Sequence, residues 1–129
     1  SMMGGFKVQG KSLEAAQELL DSARAVAEAG AFMVVLEGIP AMLADEITKR
    51  IPIPTMGIGA GAGCDMQVLV AQDMLGMNDW VPKFVKKYAD LRTTIIDAYN
   101  TYCEESSART FPAEAYQYNA KIEGIENLK

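Results

Sequence analysis

Histidine is missing from this sequence altogether, and cysteine occurs only at positions 64 and 103. Without an imidazole a serine triad is excluded, and Cys103 has no base to turn its thiol into a nucleophile. Two cysteines this far apart form neither a zinc signature nor a disulfide framework, so reduced thiols in a cytoplasmic protein are expected. No apolar run approaches the ~20 residues that cross a bilayer. The start of the chain also lacks a basic region followed by an apolar stretch, and no membrane association is expected. Basic residues are scarce as well, 12 against 17 acidic, for a formal charge of -5. No basic face compensates, so nucleic acid is not an expected partner.

What is present suits a folded interior: half of the 129 residues are hydrophobic and 22% are charged. That length fits one domain, taken as residues 3–129, with Ser1-Met2 read as a tag remnant. Ser12 is placed to cap a helix in which Leu13, Ala16, Leu19, Leu20, Ala23, Val26 and Ala27 recur at helical spacing, and Gly30 to end it. Phe32 to Leu36 is a continuous apolar run, the pattern of a parallel strand covered on both faces, with Glu37 as the first charge after it. Pro40 opens a short helix with Met42, Leu43 and Ile47 as its stripe and Lys49-Arg50 at its end.

Ile51 to Gly63 reads as a strand entered through prolines and left through glycines. Val68 to Ala71 is a third apolar run, short enough to be strand or helix, followed by Gln72-Asp73. From Phe84 onward Val85, Tyr88, Leu91, Ile95, Ala98, Tyr99 and Tyr102 keep a helical rhythm broken near 87–90, and Pro112 opens a last short helix through Tyr116. Residues 121–129 are polar and expected to fray. The alternation of helices and strands predicts an α/β fold with parallel strands. A complete (β/α)8 barrel takes ~250 residues, so this chain has room for about half of one, and an open doubly wound sheet also fits its length.

In either architecture ligands gather at the carboxyl ends of the strands, which selects Glu37, the series Gly57 to Gly63, and Gln72-Asp73. A carboxylate at the mouth of an apolar strand is partly desolvated and so a stronger proton acceptor, making Glu37 the candidate base; the competing role is a structural acid before Pro40. Successive backbone N–H groups in a glycine series can cradle an anion. Gly57-Ile-Gly-Ala-Gly-Ala-Gly nonetheless fits neither the dinucleotide fingerprint nor a P-loop, and close packing explains it equally. No cation stands out beside it. Lys83, Lys86 and Lys87 read as a solvated helix face, and Asp65 and Asp73 as either helix caps or metal contacts.

Gly4 to Gly10, Val35-Leu36-Glu37-Gly38-Ile39-Pro40, Ile53 to Gly61, Val68 to Gly76 and Pro82 to Lys86, in this order, together resemble one family, the ketopantoate hydroxymethyltransferases. Gly4-Gly5-Phe6-Lys7-Val8-Gln9-Gly10 resembles the family's loop after its fifth strand, and Val35-Leu36-Glu37-Gly38-Ile39-Pro40 its sixth strand with the catalytic glutamate. Ile53 to Gly61 resembles the seventh strand, followed by an Asp65…Gln67 pair, and Val68 to Gly76 the eighth. Pro82-Lys83-Phe84-Val85-Lys86 and Phe111-Pro112 resemble its C-terminal helices. The resemblance implies the C-terminal part of a (β/α)8 TIM barrel, about three parallel strands with helices plus C-terminal helices. It implies transfer of a one-carbon unit from 5,10-methylenetetrahydrofolate to 3-methyl-2-oxobutanoate with Mg²⁺, giving 2-dehydropantoate for pantothenate synthesis. Glu37 would be the catalytic base, with Gly57, Gly59 and Gly61 on the substrate rim.

The resemblance also assigns the metal-binding aspartates, the residues that hold the 2-oxo acid and an active-site histidine to earlier strands, so no metal ligand is expected here. Gln72 departs from the pattern, standing where the family commonly has histidine. A lone base supplies only about 10²–10⁴-fold. The expectation is therefore a chain inactive by itself, binding no cofactor alone. Three strands would also leave two open edges and an uncovered inner face, which favours a homo-oligomer or a piece of a longer protein.

Overall fold

The computed structural model describes residues 7–129. Ser12 begins the first helix as the spacing predicts: its Oγ accepts from the Ala15 N–H at 3.1 Å, and α1 runs over Leu13–Glu28. Gly30, with φ 91°, turns the chain out of it. The first strand, β1 (Val34–Glu37), starts two residues later than predicted, leaving Phe32 84% exposed. Pro40 is the cap residue of α2 (Ala41–Arg50), whose outer turns carry the Lys49–Asp45 and Arg50–Glu46 pairs. The carboxylate beside Lys49 holds its ammonium pKa above the ordinary 10.5, first through a hydrogen bond and then through charge attraction.

Beyond α2 come β2 (Thr55–Ile58), β3 (Met66–Gln67) and a single helical turn, α3 (Ala71–Met74). The strands form one parallel sheet in the order β1-β2-β3, with Val34 to Glu37 paired to Thr55 to Ile58 and Met56 and Gly57 to Met66 and Gln67. The fold is thus α/β with a three-stranded parallel sheet. The third strand is displaced from the predicted run: Val68 to Ala71 lies just past β3 and leads into α3. Its cause is tertiary, because Met66 and Gln67 find partners on β2 whereas the Val70 carbonyl accepts from Met74 N–H at 2.9 Å.

Paired neighbours in a parallel sheet point the same way. Val34, Leu36, Thr55, Gly57 and Gln67 therefore share one face, and Val35, Glu37, Met56, Ile58 and Met66 the other. Helices cover the first. Leu36 belongs to a core with Ala23 of α1, Ala44 and Ile47 of α2, and Ile39, Ile51 and Ala60. On the second face Val35 is 53% exposed. The apolar run of β1 is thus covered on one face among the described residues, not on both as its composition predicts.

Thr55 shows how the covered face is closed. It is fully buried; its N–H donates to Asp65 Oδ2 at 2.8 Å, and its hydroxyl lies 2.8 Å from Thr48 Oγ1. Asp65 thereby pins the starts of β2 and β3 together, far from the strand ends where ligands gather.

Clustering of contacts divides the chain into two units, the first ending at Asp90 and the second running from Leu91 to Lys129. The second contains α4 (Leu91–Ala108), none of whose residues is buried. Arg109 takes φ 58° and ends this helix, with Thr110 N–H closing on Glu105 O at 2.9 Å. Phe111 then lies between Tyr102 and Tyr116, at ring-centroid distances of 5.6 and 6.0 Å. A 3₁₀ turn over Glu114–Tyr116 stands where Pro112 predicts a short helix. The tail expected to fray carries a further turn at Ile125–Asn127, started by Gly124 at φ 76°.

Candidate functional site

Parallel pairing in register brings the carboxyl ends of β1 and β2 side by side. Glu37 is the last residue of β1, on the open face, opposite Ile58, the last residue of β2. The next residue, Gly38, donates its N–H to Ile58 O at 2.9 Å, which ties the two strand ends together. Glu37 is exposed, so the desolvation expected for a carboxylate at a strand mouth is not provided by the described residues. The reason is the uncovered face on which it stands.

Two of the three rim glycines stand where the strand ends predict. Gly59 (φ 62°) and Gly61 (φ 78°) are left-handed, and both are crowded: a Cβ on Gly59 would meet the Phe84 ring at 2.5 Å, one on Gly61 the Ala41 Cβ at 2.4 Å. Gln67 Nε2 donates to Gly61 O at 2.9 Å and anchors the loop to the end of β3. Gly57 differs. It is buried within β2 on the covered face, where a Cβ would meet Cys64 Sγ at 2.9 Å, so its smallness serves packing.

Beyond these strand ends lies a cavity of about 1000 Å³, lined by Gly38, Gly59, Gly61 and Gln67 on one side and by Trp80, Lys83, Phe84, Lys86 and Tyr88 on the other. The second wall corrects the helix expected from Phe84 onward. Residues 84–90 are not helical, and α4 begins only at Leu91. The loop is held by Tyr88 N–H to Met74 O at 2.7 Å, by Lys87 Nζ to Asn78 O at 3.1 Å, and by Phe84 seated on Gly59. Lys83 and Lys86 are exposed, as expected, but stand on a loop and not on a helix face; they line the cavity beside the glycine loop, supplying the cations that the sequence reading finds missing. Sequence reasoning missed them because helical spacing runs through the segment. The signal that could have found them is the loop cluster Asn78-Asp79 and Pro82 immediately before.

Gln72 and Asp73, expected on the rim after a third strand, lie within α3. Asp73 Oδ1 accepts from Asn78 Nδ2 at 2.6 Å, and Gln72 O accepts from Met77 N–H at 2.9 Å, so both fasten the loop that follows. Among the described residues no group of three or more His, Cys, Asp or Glu side chains is placed to hold a metal ion. No helix among them is long and apolar enough to cross a membrane.

Comparison with known proteins places the chain in one family. A family model described as ketopantoate hydroxymethyltransferase matches residues 1–114. Among curated proteins, the chain is 55% identical to the 3-methyl-2-oxobutanoate hydroxymethyltransferase of Enterococcus faecalis over 126 residues, 97% of this chain and 46% of the relative. It is 52% identical to that of Carboxydothermus hydrogenoformans (98% and 46%) and 55% identical to that of Clostridium novyi (99% and 47%). The chain spans about half the length of the curated relatives it matches.

Proposed function

This chain belongs to the ketopantoate hydroxymethyltransferase family, and from that premise we propose that it contributes the last strands of a (β/α)8 barrel, as one domain over 3–129, together with the general base. The reaction is transfer of a hydroxymethyl group from 5,10-methylenetetrahydrofolate to 3-methyl-2-oxobutanoate, giving 2-dehydropantoate on the route to pantothenate, in the cytoplasm. Glu37 takes the proton from the carbon next to the ketone, and the resulting enolate forms a C–C bond to the one-carbon unit; water supplies the hydroxyl oxygen, and the unit's bonds to the two folate nitrogens break, so that tetrahydrofolate leaves with the protons returned to those nitrogens. Gly59 and Gly61 allow substrate close to the backbone at the rim.

The observation that carries this reading is the position of Glu37: at the carboxyl end of β1, on the open face, next in the chain to Gly38 of the cavity wall. Barrel enzymes place their reacting groups at that end, on side chains pointing into the barrel. Mg²⁺ is part of the family's chemistry, but the described residues do not form a ligand set for it. Its ligands would be supplied by the part of the barrel outside this chain.

The test is to supply the missing half as a separate polypeptide taken from a full-length relative, then to assay product formation with oxo acid, folate donor and Mg²⁺. Activity should appear in the mixture and be absent from the chain by itself. Glu37→Gln should lower the mixture's turnover by about 10²–10⁴-fold without loss of association. Activity that survives the substitution would remove Glu37 as the base, and turnover by the chain alone would remove the claim that it needs a complement.

The open face favours a second reading, in which the chain by itself is a non-catalytic assembly module. Val35 and Met66 stand exposed on it, and β1 and β3 are both edge strands. Such a chain self-associates into a homo-oligomer, and sedimentation at micromolar concentration should give a mass above that of one chain. A strictly monomeric mass would exclude it.

A further inference from the structure

We propose that the rim cavity is a binding site for a small multivalent oxyanion, held by Lys83 and Lys86 against the Gly59–Gly61 loop. The charge balance of its wall is the first reason. In a chain with a formal charge of -5, the only charged residues lining the cavity among the described residues are these two lysines, and no carboxylate among them lines it to neutralise the two. Neither lysine forms an ion pair among the described residues. Lys87, the third lysine of the segment, does not line the cavity and donates to the Asn78 carbonyl. The segment therefore spends one cation on its own loop and presents two to the cavity.

The facing wall supplies the second reason. Gly59 and Gly61 both adopt left-handed φ in a loop that Phe84, Ala41 and Gln67 hold in place. Among the described residues the N–H groups of these two glycines donate to no partner. Left-handed turns that leave N–H groups free form concave sites for anions. Lys86 Nζ also rests 4.9 Å from the centre of the Tyr88 ring, a contact that limits where its charge can go. Cations on one wall and free amides on the other suit carboxylates and phosphoryl groups alike, and a ligand bearing two or more such charges gains from both lysines.

This inference takes from the functional reading only that ligands gather at the strand ends; it does not require Glu37 to be a base. Its test is protection of lysines from acetylation in the whole 129-residue chain, read by mass spectrometry at constant ionic strength, with inorganic pyrophosphate and with citrate as probes. Both should slow acetylation of Lys83 and Lys86 saturably while leaving Lys121 and Lys129 unchanged. Replacing both cavity lysines (K83Q with K86Q) should weaken pyrophosphate binding in equilibrium dialysis about tenfold, as expected from two exposed charges. The paired control K121Q with K129Q should leave it unaltered. Protection by pyrophosphate alone would assign the site to phosphoryl groups, and by citrate alone to carboxylates; either supports the proposal. Absence of protection, or equal protection at every lysine, would overturn it. Glu37→Gln should leave the protection intact, so failure of the anion site and failure of the proposed base are separately visible.

Discussion

The two faces of the three-stranded sheet are built from similar residues and meet opposite surroundings. Leu36 is buried against α1 and α2, whereas Val35, one residue earlier, is half exposed. Thr55, a polar residue, is sealed completely, while the apolar Met66 on the other face stands in the open. Burial here does not follow side-chain polarity. It follows which side of the sheet the chain's own helices reach, and the side left open is the one that carries Glu37.

That contrast is sharpest in the cost of truncating each face. Ile47→Ala, beneath the covered face, should destabilise the chain by about 2–5 kcal/mol in urea unfolding, because a fully buried side chain leaves a cavity. Val35→Ala on the open face should change stability by no more than ~0.5 kcal/mol, as for an ordinary exposed position. If the two substitutions cost the same, the open face is covered in solution, as self-association would cover it.

Asp65→Ala lies between these extremes. It strips the buried Thr55 N–H of its acceptor and should cost about 1–3 kcal/mol. An effect within experimental error would mean that Thr48 and water replace the carboxylate. Glu37→Gln sits at the low end, with an unfolding midpoint indistinguishable from that of the parent chain, because Glu37 is exposed and its carboxylate makes no ion pair among the described residues. Stability lost on that substitution would make Glu37 a structural acid.

Much of this is legible in the sequence. The Ser12 cap, the Gly30 exit, the start of α2 after Pro40 and the parallel strands all follow from local chemistry: a hydroxyl that accepts a backbone bond, a residue without a Cβ, a ring with fixed φ. The third strand and the segment before α4 were not legible in the same way. Val68 to Ala71 has a better strand composition than Met66-Gln67, yet pairing with β2 decides the register. Phe84 to Asp90 keeps a helical spacing, yet the chain there is fastened by Phe84 on Gly59 and by Tyr88 on the Met74 carbonyl.

The candidate site divides along the same line. Glu37 could be picked out from the sequence because a lone acid ending an apolar run marks a strand end. Lys83 and Lys86 are harder to pick out: Asn78-Asp79 and Pro82 before them signal a loop, but nothing local says that the loop faces a cavity. Asp65, open at the sequence level to a cap or a metal contact, is turned by the buried hydroxyl and amide of Thr55 into a clasp between two strand starts.

The order of helices and strands, the caps, and the identity of the acid at the strand end were determined by the sequence itself, because each depends on residues within a few positions of one another. Which face of the sheet is sealed, where the third strand pairs, and which cations meet the glycine loop were decided only by tertiary structure. Those outcomes depend on contacts between segments distant along the chain, whose energies no local pattern contains.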